Sequence, residues 1–311
     1  MPGTGPRFTM RQLDYFVTVA DEGTMAAAAK RHHISQSAVS LAITKLERAL
    51  GVQLFLRRKS RGIELTGAAR HMLPEVRNLL AHAGEVQSAA QNLGQVVSGE
   101  LALGCYPTLT PFLVPRILKG FPVEYPEVTI RLFEGSVADM LGRLLDGTCE
   151  MALMYDLGVG QDISTTVLYR VRPYVLLPSD HRLAVPGPLS LAELRDEPMI
   201  MLDMPPSSEM FREVLAAGGI DPAVRFTTAN FESVRSLVAS GAGYSLLLQR
   251  PSPETTYAGP SLVYREIVEE VRQVDVVLAH ARDARLTRRM QAFAEFCRVT
   301  FDGSRAGQGR D

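Results

Sequence analysis

The sequence predicts an α/β multi-domain protein: three short helices and a hairpin, then one long helix, then a body of two α/β lobes. Two observations carry that prediction. Apolar residues recur at helical spacing through the first ninety positions and end in a run that alternates by fours and threes. Beyond residue 100, short apolar runs alternate with amphipathic ones in the order strand, helix, strand, which builds a parallel sheet.

A chain of 311 residues with 46% hydrophobic content supports roughly two domains with separate cores. No stretch approaches the roughly 18 uninterrupted apolar residues of a membrane span, and positions 1–10 carry no signal-peptide core, so the expected compartment is the cytoplasm and no membrane partner is expected. Cys105, Cys149 and Cys297 are odd in number, far apart and without histidines at ligand spacing. They predict neither a disulfide framework nor a zinc site, and no cofactor is expected. The net charge of −1 hides an asymmetry: residues 1–93 hold 12 Lys or Arg against 7 Asp or Glu, the rest 21 against 27. A basic N-terminal part on a mildly acidic body suits an anionic partner such as nucleic acid.

Leu13, Phe16, Val17 and Ala20 share one face of a first helix, which Gly23 ends. Thr24 caps a second helix over 25–32, whose alanine run at 26–29 permits close packing. Ser35 caps a third, in which Val39, Ile43, Leu46 and Leu50 form the apolar stripe before Gly51 closes it. Gln36, Ser37, Ser40, Thr44 and Lys45 fall away from that stripe. Their amide, hydroxyl and ammonium groups suit the base edges and phosphates of double-stranded DNA, and Gln36, near the helix N-terminus, is the first candidate for a base contact. Segments 52–55 and 63–65 read as a hairpin tipped by Arg57, Arg58, Lys59 and Arg61, cations placed to hold phosphates. A solvated helix and a charged loop would each show one of these features; their order points to a winged helix-turn-helix over residues 8–66.

With LDYFVTVADEGTMAAAAKRHHISQSAVSLAITKLERALGVQLFLRR and RGIELT, the run 10–66 resembles the DNA-binding domain of LysR-type transcriptional regulators. The segment ISQSAVS followed by LERALGVQLF is the specific signature. The family usually has a proline where this chain has Ser37, and an arginine and a polar residue where it has Leu41 and Ala42. Lys30, Arg31 and Lys45 remain as phosphate contacts.

From Thr66, a helix cap, Met72, Val76, Leu79, Ala83, Val86, Ala90 and Leu93 form a coiled-coil seam along a helix over 67–94, in which Pro74 predicts a kink or a restart. A helix packed on its own domain would look similar; the resemblance implies a dimerisation helix, and hence a homodimer whose pairs associate into a homotetramer.

Gly94 to Gly99 reads as a hinge before an effector-binding body over 97–311. The first lobe, 97–170 and 271–301, reads as strands 101–105, 128–134, 151–155 and 271–279, with helices 110–120, 137–145 and 287–301. The second, 171–270, repeats the pattern with strands 174–177, 199–202, 224–228 and 244–248 and helices 209–217 and 231–239. This pair of lobes resembles the effector domain of the same family, itself similar to periplasmic binding proteins, which implies a small-molecule effector bound between them.

Ligands of open α/β sheets bind beyond the carboxyl ends of strands. Those positions are Tyr106, Thr108, Leu109, Glu134, Ser136, Tyr155 and Asp156 in one lobe, and Asp203, Ser207, Ser208, Thr228 and Asn230 in the other. The resemblance implies Thr108, Ser136 and Asn230 first, although helix caps call for the same residue types. So many hydroxyls suit a small polar or carboxylate compound, whereas Glu134, Asp156 and Asp203 would favour a cationic or zwitterionic one; the sequence leaves both open.

Three other functions compete. No nucleophile elbow, metalloprotease motif or P-loop occurs, and no His has catalytic spacing, so an enzyme is not expected. Gly241-Ala242-Gly243 lacks the rest of a nucleotide fingerprint and reads as a tight turn. A free solute receptor would suit the body but not the basic N-terminal part. A thiol sensor would use Cys105, at the end of the first lobe's first strand. The family resemblance implies instead that effector binding alters DNA bending and contact with RNA polymerase.

Overall fold

A computed structural model describes residues 6–58, 62–91, 96–251, 256, 257, 259 and 261–301. At the N-terminus three helices pack around one another: α1 (Met10–Glu22), α2 (Met25–Arg31) and α3 (Gln36–Leu50). Each starts where a side-chain oxygen takes up an orphan amide. Thr9, Thr24 and Ser35 accept from Gln12, Ala27 and Ala38 respectively. Gly23 and Gly51 end α1 and α3 with φ of 68° and 71°, left-handed values that favour glycine. The apolar stripes of α1 and α3 meet in a core of Leu13, Phe16, Val19, Val39, Ile43 and Leu46, all buried.

An antiparallel hairpin follows, β1 (Phe55–Arg58) with β2 (Gly62–Leu65). Its first strand begins three residues later than expected. Glu47 of α3 accepts the N–H groups of Leu54 and Phe55 at 2.8 and 3.4 Å, and Leu54 is fully buried, so 52–54 is a connector clamped to α3. Arg57 and Arg58 therefore belong to a strand rather than the tip; Lys59 and Arg61 lie outside the described residues.

Thr66 caps α4 (Gly67–Gln91), accepting from Ala69 at 3.1 Å. The helix neither stops nor restarts at Pro74. Proline in a helix interior costs about 3 kcal/mol, but Ala69, Leu73 and Val76 are buried in the N-terminal core on both sides of it and hold the axis. That packing also divides the predicted seam: Met72 and Val76 turn into the N-terminal core, while Leu79 and Val86 stand 41% and 71% exposed. Leu93 and residues 94 and 95 of the predicted hinge lie outside the described residues.

The first lobe contains β3 (Gly99–Cys105), α5 (Thr110–Glu124), β4 (Val128–Glu134), α6 (Val137–Leu145), β5 (Met151–Tyr155) and β6 (Ile163–Val171). The second contains β7 (Tyr174–Pro178), a 3-10 turn (Leu191–Leu194), β8 (Met199–Leu202), α7 (Ser207–Ala217), β9 (Val224–Thr228), α8 (Phe231–Ala239), β10 (Ser245–Leu247) and β11 (Leu262–Glu266). The chain then returns with β12 (Val274–Ala281) and α9 (Arg288–Phe301). In the first lobe the order is β4-β3-β5-β12-β6: β3 is parallel to β4 and β5, and β12 is antiparallel to β5 and β6.

The second lobe is not a copy of the first. Among the described residues β8 and β9 pair in parallel; β7 lies antiparallel between β10 and β11, and an isolated bridge from Met199 to Tyr244 joins the two groups. The long connection after β7 reverses the chain before β8, so β7 never enters the parallel register.

Candidate nucleic-acid interface and ligand cleft

On α3 the buried residues Val39, Ile43 and Leu46 set the inner face, and each residue turns about 100°. Gln36, Ser37 and Lys45 are exposed, while Ser40 and Thr44 are half-buried towards the hairpin. Ser35 and Ser37 share a hydrogen bond at 2.9 Å, and the Thr44 hydroxyl donates back to the Ser40 carbonyl at 2.9 Å, so the Thr44 hydroxyl keeps only acceptor or bifurcated capacity. A groove of about 360 Å³ lies between α3 and β1, lined among others by Ser40, Thr44, Gln53 and Leu56. Thr24 and Lys30 are exposed; Arg31 is exposed but paired with Glu22 at 3.2 Å. Leu41 and Arg48 are exposed as well, and neither was expected as a DNA contact from the sequence. Their signal was helical phase: they lie opposite the stripe, closer to the centre of the outward face than Gln36.

The expected ligand residues separate into two groups. Thr108, Glu134 and Asn230 line one cleft of about 1550 Å³ between the lobes, together with Pro107, Pro111, Phe112, Met204, Phe231, Glu232 and Arg235. Phe112 of α5 and Phe231 of α8 meet edge to face across it, centroids 6.1 Å apart. The Thr108 hydroxyl lies 3.2 Å from that of Tyr155.

The other residues close the structure instead of lining the cleft. Tyr106, Leu109 and Tyr155 are buried; Tyr106 donates across the lobes to the Met204 carbonyl at 2.9 Å and lies 3.4 Å from the Ser207 hydroxyl. Ser207 and Ser208 are buried, and Ser208 donates to Glu209 at 3.2 Å. Ser136 caps α6 in a closed box with Asp139, hydroxyl to carboxylate 2.6 Å. The backbone N–H groups of Asp156 and Asp203 bond to the carbonyls of Asp275 and Thr228, and the Thr228 hydroxyl accepts from the Asn230 N–H at 3.2 Å.

Several groups that could hold an anion here have partners within the chain. The Asp139 carboxylate occupies the start of α6, held below the usual carboxylate range by hydrogen bonds from Ser136. Asn230 caps α8, accepting from Ser233 at 2.9 Å. At α5 the N–H groups of Leu109, Thr110 and Phe112 bond to the Tyr106 and Leu109 carbonyls, and Pro111 has none. Arg235 Nε lies 3.1 Å from Glu232, whose other oxygen accepts from the Tyr257 N–H at 3.0 Å.

The three thiols are buried and free. Burial, foremost, pushes Cys105 up to about 12 although Thr110 pulls it down, and burial likewise pushes Cys149 up to about 12. Cys297 is raised by burial as well. A thiol kept protonated and covered is a poor nucleophile. Among the described residues no cluster could hold a metal ion, and no helix is long and apolar enough to cross a membrane.

Residues 94–302 match the LysR substrate binding domain, and residues 10–70 match the bacterial regulatory helix-turn-helix protein of the lysR family. The chain belongs to the LysR family of transcriptional regulators. It is a DNA-binding regulator with an effector-binding domain.

Among solved structures, this LysR-family regulator is similar to HinK of Pseudomonas aeruginosa, a LysR family transcriptional regulator (34% identity, TM-score 0.64, covering 94% of this chain and 98% of HinK). Its body is similar to the C-terminal domain of a probable LysR family regulator from Rhodococcus sp. RHA1 (38%, TM-score 0.63, 65% and 99%). Among curated relatives, the regulator is 27% identical to the DNA-binding transcriptional dual regulator OxyR of Escherichia coli over 300 residues, 94% of this chain and 96% of OxyR.

Proposed function

We propose that α3 enters the major groove of an operator and that the two-lobed body senses a small molecule in the cleft at Thr108, Glu134 and Asn230. The observation that carries this reading is the capped α3, with Gln36, Ser37 and Lys45 exposed and Ser40 and Thr44 facing the groove beside β1. Thr24, Ser35, Lys30, Arg31 and the hairpin cations Arg57, Arg58, Lys59 and Arg61 would steady the sugar-phosphate backbone. In this reading residues 8–66 bind DNA, 67–94 dimerise through the exposed Leu79 and Val86, and 97–311 bind the effector.

Dimers of dimers would place reading helices on an interrupted inverted repeat, and the effector would shift a two-state lobe arrangement sensed by RNA polymerase. The regulator would act in the cytoplasm and catalyse no reaction. With Asp139 and Asn230 capping α6 and α8, Arg235 beside Glu232 and Glu134 in the lining, the cleft favours a neutral or amine-bearing compound over a carboxylate. Retardation of duplex DNA by the full chain, with affinity falling steeply between 50 and 200 mM salt, tests the first part. Binding without salt dependence, or none, would refute it.

A further inference from the structure

Leu41 is 56% exposed in the middle of α3. Counting 100° per residue from the buried stripe, Ser37, Leu41 and Arg48 form one outward row, with Leu41 at its centre. Lone exposed leucines are ordinary. This one differs in its company: Lys45 and Arg48 stand exposed one and two turns on, and Glu47 is turned away to hold the amides of Leu54 and Phe55. The outward face of α3 is thus cationic with one apolar centre. Its complement is anionic with an apolar spot.

We propose that Leu41 selects a thymine in each half-site by packing on its C5-methyl group. That methyl is the one apolar group the major-groove edge of a base pair presents, and a leucine, with no donor or acceptor, reads nothing else there. The cations one and two turns further along take phosphates. The inference rests on the reading that α3 enters the groove, and adds to it the identity of one base and the residue that chooses it. Burying one methyl is worth about a fourfold change in affinity.

The test uses the full chain and duplexes selected by it from a random pool. Each thymine in the selected sequence is replaced singly by deoxyuridine, which removes the methyl and keeps every hydrogen-bonding group, and Kd is measured by fluorescence anisotropy. One position per half-site should weaken by about fourfold with the wild-type chain. In Leu41→Ala that position should lose its sensitivity, while other contacts and the melting temperature stay unchanged.

Selection that enriches no sequence would sink the groove reading itself. Enrichment without any uridine-sensitive position would leave α3 in the groove and overturn the role of Leu41, as would sensitivity that persists in Leu41→Ala. A changed sedimentation coefficient in Leu41→Ala would assign the leucine to a contact between copies of the chain, and would overturn the proposal too.

Discussion

Arg77, halfway along α4, places its guanidinium Nη1 3.3 Å from Asp146 Oδ1 at the end of α6 and 2.7 Å from the Asp146 carbonyl. Its other terminal nitrogen pairs with Asp21 on α1. One side chain, only 11% exposed, therefore ties the N-terminal domain, the long helix and the first lobe together. Further along, His82 contacts the Arg285 carbonyl at 3.1 Å, and Glu85 accepts from the Arg288 N–H.

Arg77→Met keeps the aliphatic stem and removes the bridge. Because Asp21 and Asp146 remain 36% and 49% exposed, the loss in stability should be modest, about 1 kcal/mol. The larger change should be in coupling: DNA affinity should become less responsive to effector. Unchanged coupling in a paired titration of DNA with and without effector would show that the bridge is structural only.

Gln36→Ala should relax sequence preference at one base pair by about 1 to 3 kcal/mol, whereas Arg57→Ala should weaken all duplexes alike and lower the salt slope by about one. Competition among variant duplexes at several salt concentrations separates the two behaviours. Identical profiles for both substitutions would remove the division between reading and gripping residues.

Burial pushes the Cys105 thiol up to about 12 and so keeps it protonated at neutral pH. Cys105→Ser should accordingly leave any peroxide response of operator binding unchanged, and the native chain should resist thiol reagents until unfolded. Rapid labelling of the folded chain would contradict the burial argument.

Glu269 accepts from the Ser190 hydroxyl at 2.6 Å and from the Leu191 N–H at 3.0 Å, fastening the 3-10 turn. Burial would raise its pKa, but these hydrogen bonds outweigh burial and hold it below 4.5. A depressed folded pKa stabilises the chain above the unfolded value and ceases to do so as pH falls through the folded one. Glu269→Gln should thus lower Tm at pH 7, with the gap closing below pH 4.5. A gap independent of pH would mean that the carboxylate charge contributes nothing.

Thr108→Val should blunt the effector response while sparing DNA binding, and Glu134→Gln should reduce affinity for amine-bearing ligands more than for neutral ones. Thermal-shift screening of small metabolites against each variant reads both, since a ligand raises stability by mass action. Carboxylates as the strongest stabilisers of the wild type would reverse the assignment of ligand charge.

Much of the fold was legible because its signals are local. The caps Thr24, Ser35 and Thr66, the glycines at 23 and 51, and the buried runs of β5 and β8 each announce an element from neighbouring residues. β6 and β11 were not foreseen. β6 mixes threonines with apolar residues at a sheet edge, and its partner β12 comes from a hundred positions later. The same limit applied to the cleft: the ends of strands could be named, but which residues face the ligand depends on how the lobes close, and that closure took Tyr106, Tyr155 and Ser207 inside. Phe112, Phe231 and Arg235, which line it from helices, carried no strand-end signal. Leu41 read as a lost contact when only its chemistry was weighed; its phase on α3 makes it central.

The proposed function stands on α3 occupying the major groove. Hydroxyl-radical and methylation footprinting of the full chain on its selected duplex tests it directly. Two half-sites one or more helical turns apart are expected, with guanine N7 shielded from methylation in the major groove of each. Protection confined to the minor groove, or a footprint indifferent to substitutions along α3, would contradict it.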